Sequence, residues 1–359
     1  MKTTLLVLMD WAQEDLLRPV LILLCAMLLF NLPTLLYKAR LFIRAILYFI
    51  GCWDKSWSKP QDPGSIFGPH LSQGLPVERR TIYFVRHGES TWNDTFNKGK
   101  HRSTVAFILG FIPGVIKALL HELYLLLSGK LDSWFYDAPL SPLGLSQVDE
   151  LRSFLLDTKN LTGTDAEHLQ ILRADPGAPR STLLCSNLRR SISTLVGGFS
   201  ERLTRRPEDK ILVVTALQEI SRNPDTLSIT PPHSPVHASW MEKRSSVCDY
   251  SRLLGSQVDV SLHVGDKPIN TNGLKRMLDF CEFVFSPSVK DEYIIVGGHS
   301  IWFRSFFNMF LPFSVHHVAK NKKIVNGGIV TFDLLKAETK RGPKYMVDPK
   351  TIKVIYGGF

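Results

Sequence analysis

Arg86 and His87 close a short apolar run, Ile82–Val85, and lead into Gly88, Glu89, Ser90, Thr91, Trp92 and Asn93. A guanidinium is a planar fork of donors matched to phosphate oxygens. An imidazole can act as base, metal ligand or nucleophile. Gly88 removes a side chain where another backbone has to come close. Taken alone, Arg-His-Gly also fits an ordinary turn after a strand, so the remaining chemistry-bearing residues decide the matter. Thr182–Cys185 runs into Ser186-Asn187-Leu188-Arg189-Arg190-Ser191, Ile211–Val214 into Leu217-Gln218-Glu219, and Tyr293–Val296 into Gly297-Gly298-His299-Ser300. Each is an apolar, strand-like run followed by a cation, an imidazole or a carboxyl.

These runs, with Ile329–Phe332, alternate with helix-like stretches at Ser141–Leu156, Arg189–Phe199, Thr271–Val284 and Ile301–Phe310. The alternation predicts an α/β three-layer sandwich with a mostly parallel central sheet flanked by helices. In such a sheet the carboxyl ends of the strands open on one crevice, where Arg86, His87, Arg190, Glu219 and His299 would meet. A phosphomonoester dianion needs charge neutralisation, an aligned nucleophile and a proton for the departing oxygen. Arg86 and Arg190 can each give paired, charge-assisted hydrogen bonds. Their fields oppose protonation of His87 and keep a ring nitrogen available for attack. No metal or other cofactor is called for, because arginines and histidines supply the positive charge.

The run Arg86-His87-Gly88-Glu89 with Ser90-Thr91-Trp92-Asn93, the segment Asp137-Ala-Pro-Leu140-Ser141-Pro-Leu-Gly144, the motif Ser186-x-Leu188-x-Arg190 and the pair Gly298-His299 follow in order between Thr81 and about Phe332. Together they resemble the histidine phosphatase superfamily, in its phosphoglycerate-mutase-like branch. The resemblance implies that His87 becomes a phosphohistidine opened by water, and that His299 holds the transferring oxygens. It makes Glu219 the general acid and base, with Asp225 in reserve, and has Asn93 donate to a phosphate oxygen. Ser141 would cap the first long helix, and Ser300 would start a helix whose N-terminus faces the anion. The motif selects Arg190 over Arg189, which is expected to face solvent. Two departures, Glu219-Ile-Ser-Arg222-Asn223 in place of the mutase acid motif and a long insertion after Asn93, favour phosphatase over mutase chemistry. The alternatives are a bisphosphoglycerate-dependent type of phosphomutase and a membrane scaffold that binds phosphate without turnover. The substrate's remainder stays open among small molecules, proteins and lipid headgroups.

The chain has 359 residues and a net charge of +10, which suits anionic partners; no nucleic-acid module accompanies the charge. Five scattered cysteines without metal-ligand spacing suit free thiols in a reducing compartment. Residues 1–53 are expected to form a membrane anchor. Pro19–Tyr37 carries no charge and is about long enough to cross a bilayer, and Leu41–Trp53, punctuated by Lys38, Arg40 and Arg44, suits a helix lying at the interface. Pro33 is expected to mark the bend between them. Asp10, Glu14 and Asp15 before the run and basic residues after it place the following domain in the cytosol and argue against a cleaved signal peptide. A pair of buried soluble helices is the other reading of this stretch.

Residues 54–80, rich in Pro and Gly, read as a linker, and 81–359 as the phosphatase domain with a hydrophobic insertion at about 97–131. Pro113-Gly114 is expected to divide the insertion into two apolar pieces, each too short to span a bilayer. They form either a helical cap or a lid touching the anchoring membrane. Lys98, Lys100, His101 and Arg102 at its entry read as a solvated charge run, as do His316, His317, Lys320, Lys322 and Lys323. The aromatic stretch Ile301–Leu311 is expected to be core behind His299.

Overall fold

The computed structural model describes residues 18, 19, 21–23, 25–27, 29–99, 102–157, 163–270 and 272–359. Asp10, Glu14, Asp15, Lys100, His101 and Thr271 lie outside them. The described strands are β1 (Glu78–Arg86), β2 (Ser181–Cys185), β3 (Ile211–Val213), β4 (Val258–Asp259), β5 (Tyr293–Gly298), β6 (Ile329–Thr339), β7 (Gly342–Val347) and β8 (Lys353–Tyr356). The helices that matter below are α1 (Leu32–Gly51), α2 (Thr104–Leu127), α3 (Pro142–Leu156), α4 (Arg189–Gly198), α5 (Gly273–Val284) and α6 (Ser300–Phe310).

One sheet runs in the order β4-β3-β2-β5-β1-β6-β7, with β8 also paired to β6. The block from β4 to β1 is parallel, and β6 closes it antiparallel against β1. Helices cover both faces, so the protein is an α/β sandwich with a mostly parallel central sheet. Alternation along β1 shows why. Ile82 and Phe84 point to one side, where Met277 and Phe280 of α5 and Trp302, Phe303 and Phe306 of α6 complete the core. Tyr83 and Val85 point to the other, against Leu151 of α3 and Ile192 and Leu195 of α4. The ring of Phe84 stacks on Phe303 at 4.1 Å, and Trp302, Phe306, Phe307 and Phe332 meet it edge-on. Such pairs add about 0.5–1.5 kcal/mol each beyond area burial.

Helix starts follow local chemistry. The Ser141 hydroxyl caps α3 by accepting from Gly144 N at 3.0 Å, and Asn272 caps α5 by accepting from Lys275 N. The helix expected from Thr271 therefore begins at Gly273. Pro33 marks the bend from its far side. It occupies the first turn of α1, where its missing N–H costs nothing, and the break lies just before it, between Leu21–Met27 and α1, with an angle of 76°.

The segments flanking the domain differ most from expectation. α1 buries Thr34, Lys38, Leu41, Ala45 and Tyr48 against the domain. Its basic residues do not form one free face: Lys38 pairs with Glu122 at 2.8 Å and Arg44 with Asp266 at 3.2 Å. Residues 54–80 carry a helix, Pro63–Ser72, begun by Asp62 with Pro63 in its first turn, and Phe67 is fully buried. The insertion is one continuous 24-residue helix, α2, not two pieces. Pro113 forfeits one backbone bond there, yet Ala118 and Leu125 are buried against the domain and Glu122 ties into it, which keeps the helix whole. By length and composition α2 is long and apolar enough to cross a membrane.

Asp54 joins the end of α1 to α5 and to the loop after β4. It is wholly buried and shared between the Lys267 ammonium and the Arg276 guanidinium, the latter at 2.6 Å. Removing one member of a buried charge cluster strands the others, which costs about 3–5 kcal/mol. Asp54→Ala is expected to lower stability by that amount in guanidinium denaturation of the detergent-solubilised full chain. A loss under about 1 kcal/mol would show that the two cations find other partners.

Candidate active site

Strand register sets the site. Arg86 lies opposite Gly298 across the β1–β5 pair, and Cys185 opposite Gly297 across β2–β5, so all three strands end at one level. Backbone bonds continue the pairing past the strands: His87 N donates to Gly298 O and Ser186 N to Gly297 O, both at 3.0 Å. The residues that follow, His87, His299 and the Ser186–Arg190 turn, are thereby held side by side. Two glycines permit this. A Cβ on Gly88 would sit 2.7 Å from Gly144 O at the start of α3, and one on Gly298 would sit 2.8 Å from the Phe303 ring.

The rings of His87 and His299 lie 5.0 Å apart, both buried. His87 Nδ1 is 2.6 Å from Gly88 O, an acceptor only, so Nδ1 carries the proton and Nε2 keeps its lone pair. Burial, then the charges of Arg190 and Arg86, hold the His87 imidazole well below its usual pKa. Burial, Arg190 and His87 do the same for His299. Both rings are neutral at ordinary pH. His299 Nε2 bonds Ser186 Oγ at 2.7 Å, and its Nδ1 is buried without a partner. Ser186 belongs to the arginine motif, but nothing in the sequence shows that its hydroxyl orients the second histidine.

Arg86 donates one Nη1 hydrogen to Ile324 O at 2.6 Å and leaves Nε buried and unpartnered. Burial, against the pull of Glu219, brings its pKa down to about 10, so it stays charged. Arg190, 2% exposed, holds Asp225 O at 2.7 Å and Asp225 Oδ2 at 3.2 Å, and its Nε is likewise unpartnered. Arg189 does not face solvent. It is buried, bonds Asp132 Oδ1 at 2.6 Å and donates to Asp137 O, so two carboxylate-bearing residues consume it. Of the adjacent arginines, only Arg190 keeps a buried donor without a partner.

The two carboxyls differ. Glu219 accepts from Ile220 N at 2.9 Å, Trp302 N at 3.0 Å and Ile301 N at 3.4 Å. It thus takes the free N–H groups at the start of α6 that were expected to face the anion. Asp225 spends Oδ2 on Arg190 and leaves Oδ1 buried without a partner. Burial outweighs Arg190 and pushes its pKa up to about 6, with the Glu219 charge adding to the rise.

Arg86 opens into a cavity of about 760 Å³ that is also lined by Asn93, Gln147, Lys322, Lys323 and Asn326. Asn93 is therefore at the mouth, where its Oδ1 accepts from Asn97 at 2.7 Å. Lys322 and Lys323, read as a solvated patch in the sequence, belong to this wall. Asn326 reaches back to donate to His87 O at 3.0 Å.

No family model matches the chain, and no curated protein matches it. Among solved structures it is similar to a mycobacterial glucosyl-3-phosphoglycerate phosphatase, at 14% identity over 75% of this chain and 97% of that one, with a TM-score of 0.32. It is similar to a phosphoserine phosphatase from Entamoeba histolytica at 13% identity over 75% and 96%, TM-score 0.30. It is also similar to a protein described as mycobacterial hydrolase 1, at 14% identity over 75% and 97%, TM-score 0.34.

Proposed function

We propose that the chain hydrolyses a phosphomonoester through a phosphohistidine on His87. The observation that carries this reading is the buried pair of neutral imidazoles, one with a free Nε2, under the charges of two guanidiniums whose Nε–H groups are buried without partners. Buried donors without partners are rare and costly, and a phosphoryl group is the ligand that satisfies several of them at once. His87 Nε2 attacks phosphorus, the ester P–O bond breaks, and the leaving alkoxide takes a proton from a carboxylic acid. Water, losing a proton to that carboxylate, then attacks phosphorus; the new P–O bond forms as the P–Nε2 bond breaks, releasing phosphate and neutral His87. Arg86, Arg190 and His299 hold the equatorial oxygens throughout, and Asn93 at the mouth orients the incoming group.

Glu219 and Asp225 are the candidate proton donors. Glu219 spends its oxygens on three backbone N–H groups, whereas Asp225 has an unengaged oxygen and a pKa pushed up to about 6. Asp225 is the better donor. Asp225→Asn is expected to lower kcat/KM for an alkyl phosphate by about 10²-fold or more, while p-nitrophenyl phosphate, whose phenolate leaves unaided, loses only a few-fold. The wild-type rate on the alkyl ester is expected to fall as pH rises through about 6, as the acid loses its proton. If Glu219→Gln produces the leaving-group-dependent loss and Asp225→Asn does not, the proton belongs to Glu219.

The domain acts in the cytosol, held to a membrane by residues 1–53, on the phosphate of a small molecule, protein or lipid headgroup. A mutase would convert a phosphoglycerate isomer only with added bisphosphoglycerate, and a scaffold would bind phosphate with no turnover; steady-state assays separate the three.

A further inference from the structure

We propose that α2 lies in the plane of a lipid bilayer, its outer stripe sunk into one leaflet, and does not cross it. The helix is amphipathic in reverse. Val105, Leu109, Ile112, Ile116, Leu119 and Leu123 recur every three or four residues on the side away from the domain, and Leu109 is 72% exposed. A soluble helix turns such a stripe inward, and an apolar surface this long on a monomer marks a contact site.

The inner side is fastened along its length. Phe111 meets Phe96 at 6.2 Å, Ala118 and Leu125 are buried, and the His121 ring sits 4.5 Å from Trp240. Glu122 accepts from Ser133 Oγ and Trp134 N and pairs with Lys38. A helix of 24 residues is about 36 Å long, enough to cross. Crossing would take these polar partners into hydrocarbon, or strip them and leave groups unsatisfied where no water can replace them. Lying flat keeps every inner contact and still covers the stripe.

Lipid, not protein, is the occupant for three reasons. The charge-free run Pro19–Tyr37 enters α1 beside the C-terminal end of α2, where Asn31 Nδ2 donates to Leu127 O at 2.7 Å and Thr34 Oγ1 to Gly129 O at 3.1 Å. Any bilayer holding that run reaches α2. The exposed Leu36, Ile43, Ile46 and Leu47 of α1 add further apolar surface beside it. Arg102 and Lys130 stand beyond the two ends of the stripe, and the stripe itself carries no charge, because Lys117 turns its ammonium toward the Trp134 ring, 5.7 Å from the centroid. The stripe offers none of the hydrogen-bonding groups that a protein interface requires. None of these residues belongs to the catalytic cluster. One consequence does concern it: Asn97 and Gly99 line the catalytic cavity, and Arg102 donates to Asn97 O at 2.7 Å, so the first turn of α2 adjoins the cavity's rim.

The test uses the full chain with exposed Cys25 replaced (Cys25→Ser) and one cysteine added at a time: Leu109→Cys, Ile116→Cys or Leu123→Cys. Each is labelled with bimane and reconstituted in phosphatidylcholine–phosphatidylserine vesicles containing lipids with nitroxides at graded acyl depths. All three positions are expected to be quenched about twofold or more better by the shallow nitroxide than by the chain-terminal one, as for a helix at the headgroup boundary. Quenching that deepens from Leu109 to Ile116 and becomes shallow again at Leu123 would mean that the helix crosses. Absence of lipid quenching at all three positions, with or without self-association, would mean that protein or water covers the stripe. Either result overturns the proposal.

Discussion

His87→Ala is expected to abolish turnover, by a factor on the order of 10⁴ or more, because nucleophile and leaving group lose their shared covalent intermediate. The fold should survive. The imidazole's one hydrogen bond is to its neighbour's carbonyl, and the bonds that hold the strand end, His87 N to Gly298 O and Asn326 Nδ2 to His87 O, use backbone atoms of residue 87 that alanine retains. The variant should still bind phosphate or vanadate, since Arg86, Arg190 and His299 remain, and its melting temperature should still rise with either anion. A labelled phosphomonoester quenched in alkali should leave base-stable, acid-labile label on the wild type and none on His87→Ala. Retained turnover would remove His87 from the mechanism; lost anion binding would mean instead that the pocket had collapsed.

Much of the framework can be read from the chain because buried parallel strands are written as short apolar runs. Ile82–Val85, Thr182–Cys185 and Tyr293–Val296 fall inside β1, β2 and β5. Their endings draw attention to the crevice because strand polarity gathers them at one edge. β7 and β8 escape notice, since Lys344 and Lys353 break the apolar pattern in strands at the margin of the sheet. The helix Pro63–Ser72 did carry a signal, Asp62 as cap with Pro63 behind it, but the surrounding glycines and prolines read as a linker. Pro113-Gly114 reads as a break when a helix is judged by propensity alone. What keeps α2 whole is distant in sequence: Trp134, Trp240 and Lys38. The same holds within the site. The motif picks Arg190 over Arg189, but only the fold supplies Asp132 and Asp137 to Arg189, which the sequence had facing solvent, and Asp225 to Arg190. The engagement of Glu219 with the start of α6 is also a contact across 82 and 83 residues, beyond the reach of local pattern.

Arg190 tests whether charge in the crevice serves catalysis or only folding, because it does both. Arg190→Ala should cost turnover a factor of about 10³–10⁵, the range for an arginine that stabilises a transferring phosphoryl group. It should also cost stability, about 3–5 kcal/mol, by stranding the Asp225 carboxylate in the interior. The two losses part with pH. Arg190 is what holds the Asp225 pKa down against burial, so its removal raises a value already near 6. A group whose folded-state pKa is raised contributes stability at low pH that is lost as pH climbs through that value. The variant should therefore approach wild-type stability in acid and fall progressively behind above pH about 6, as followed by guanidinium denaturation. Replacing both partners, Arg190→Met with Asp225→Leu, removes the buried charge altogether and should recover most of the stability at every pH. It should recover none of the turnover. Were the double variant to hydrolyse substrate near the wild-type rate, the guanidinium would be a structural counter-ion, and Arg86 with His299 would have to carry the phosphoryl charge alone.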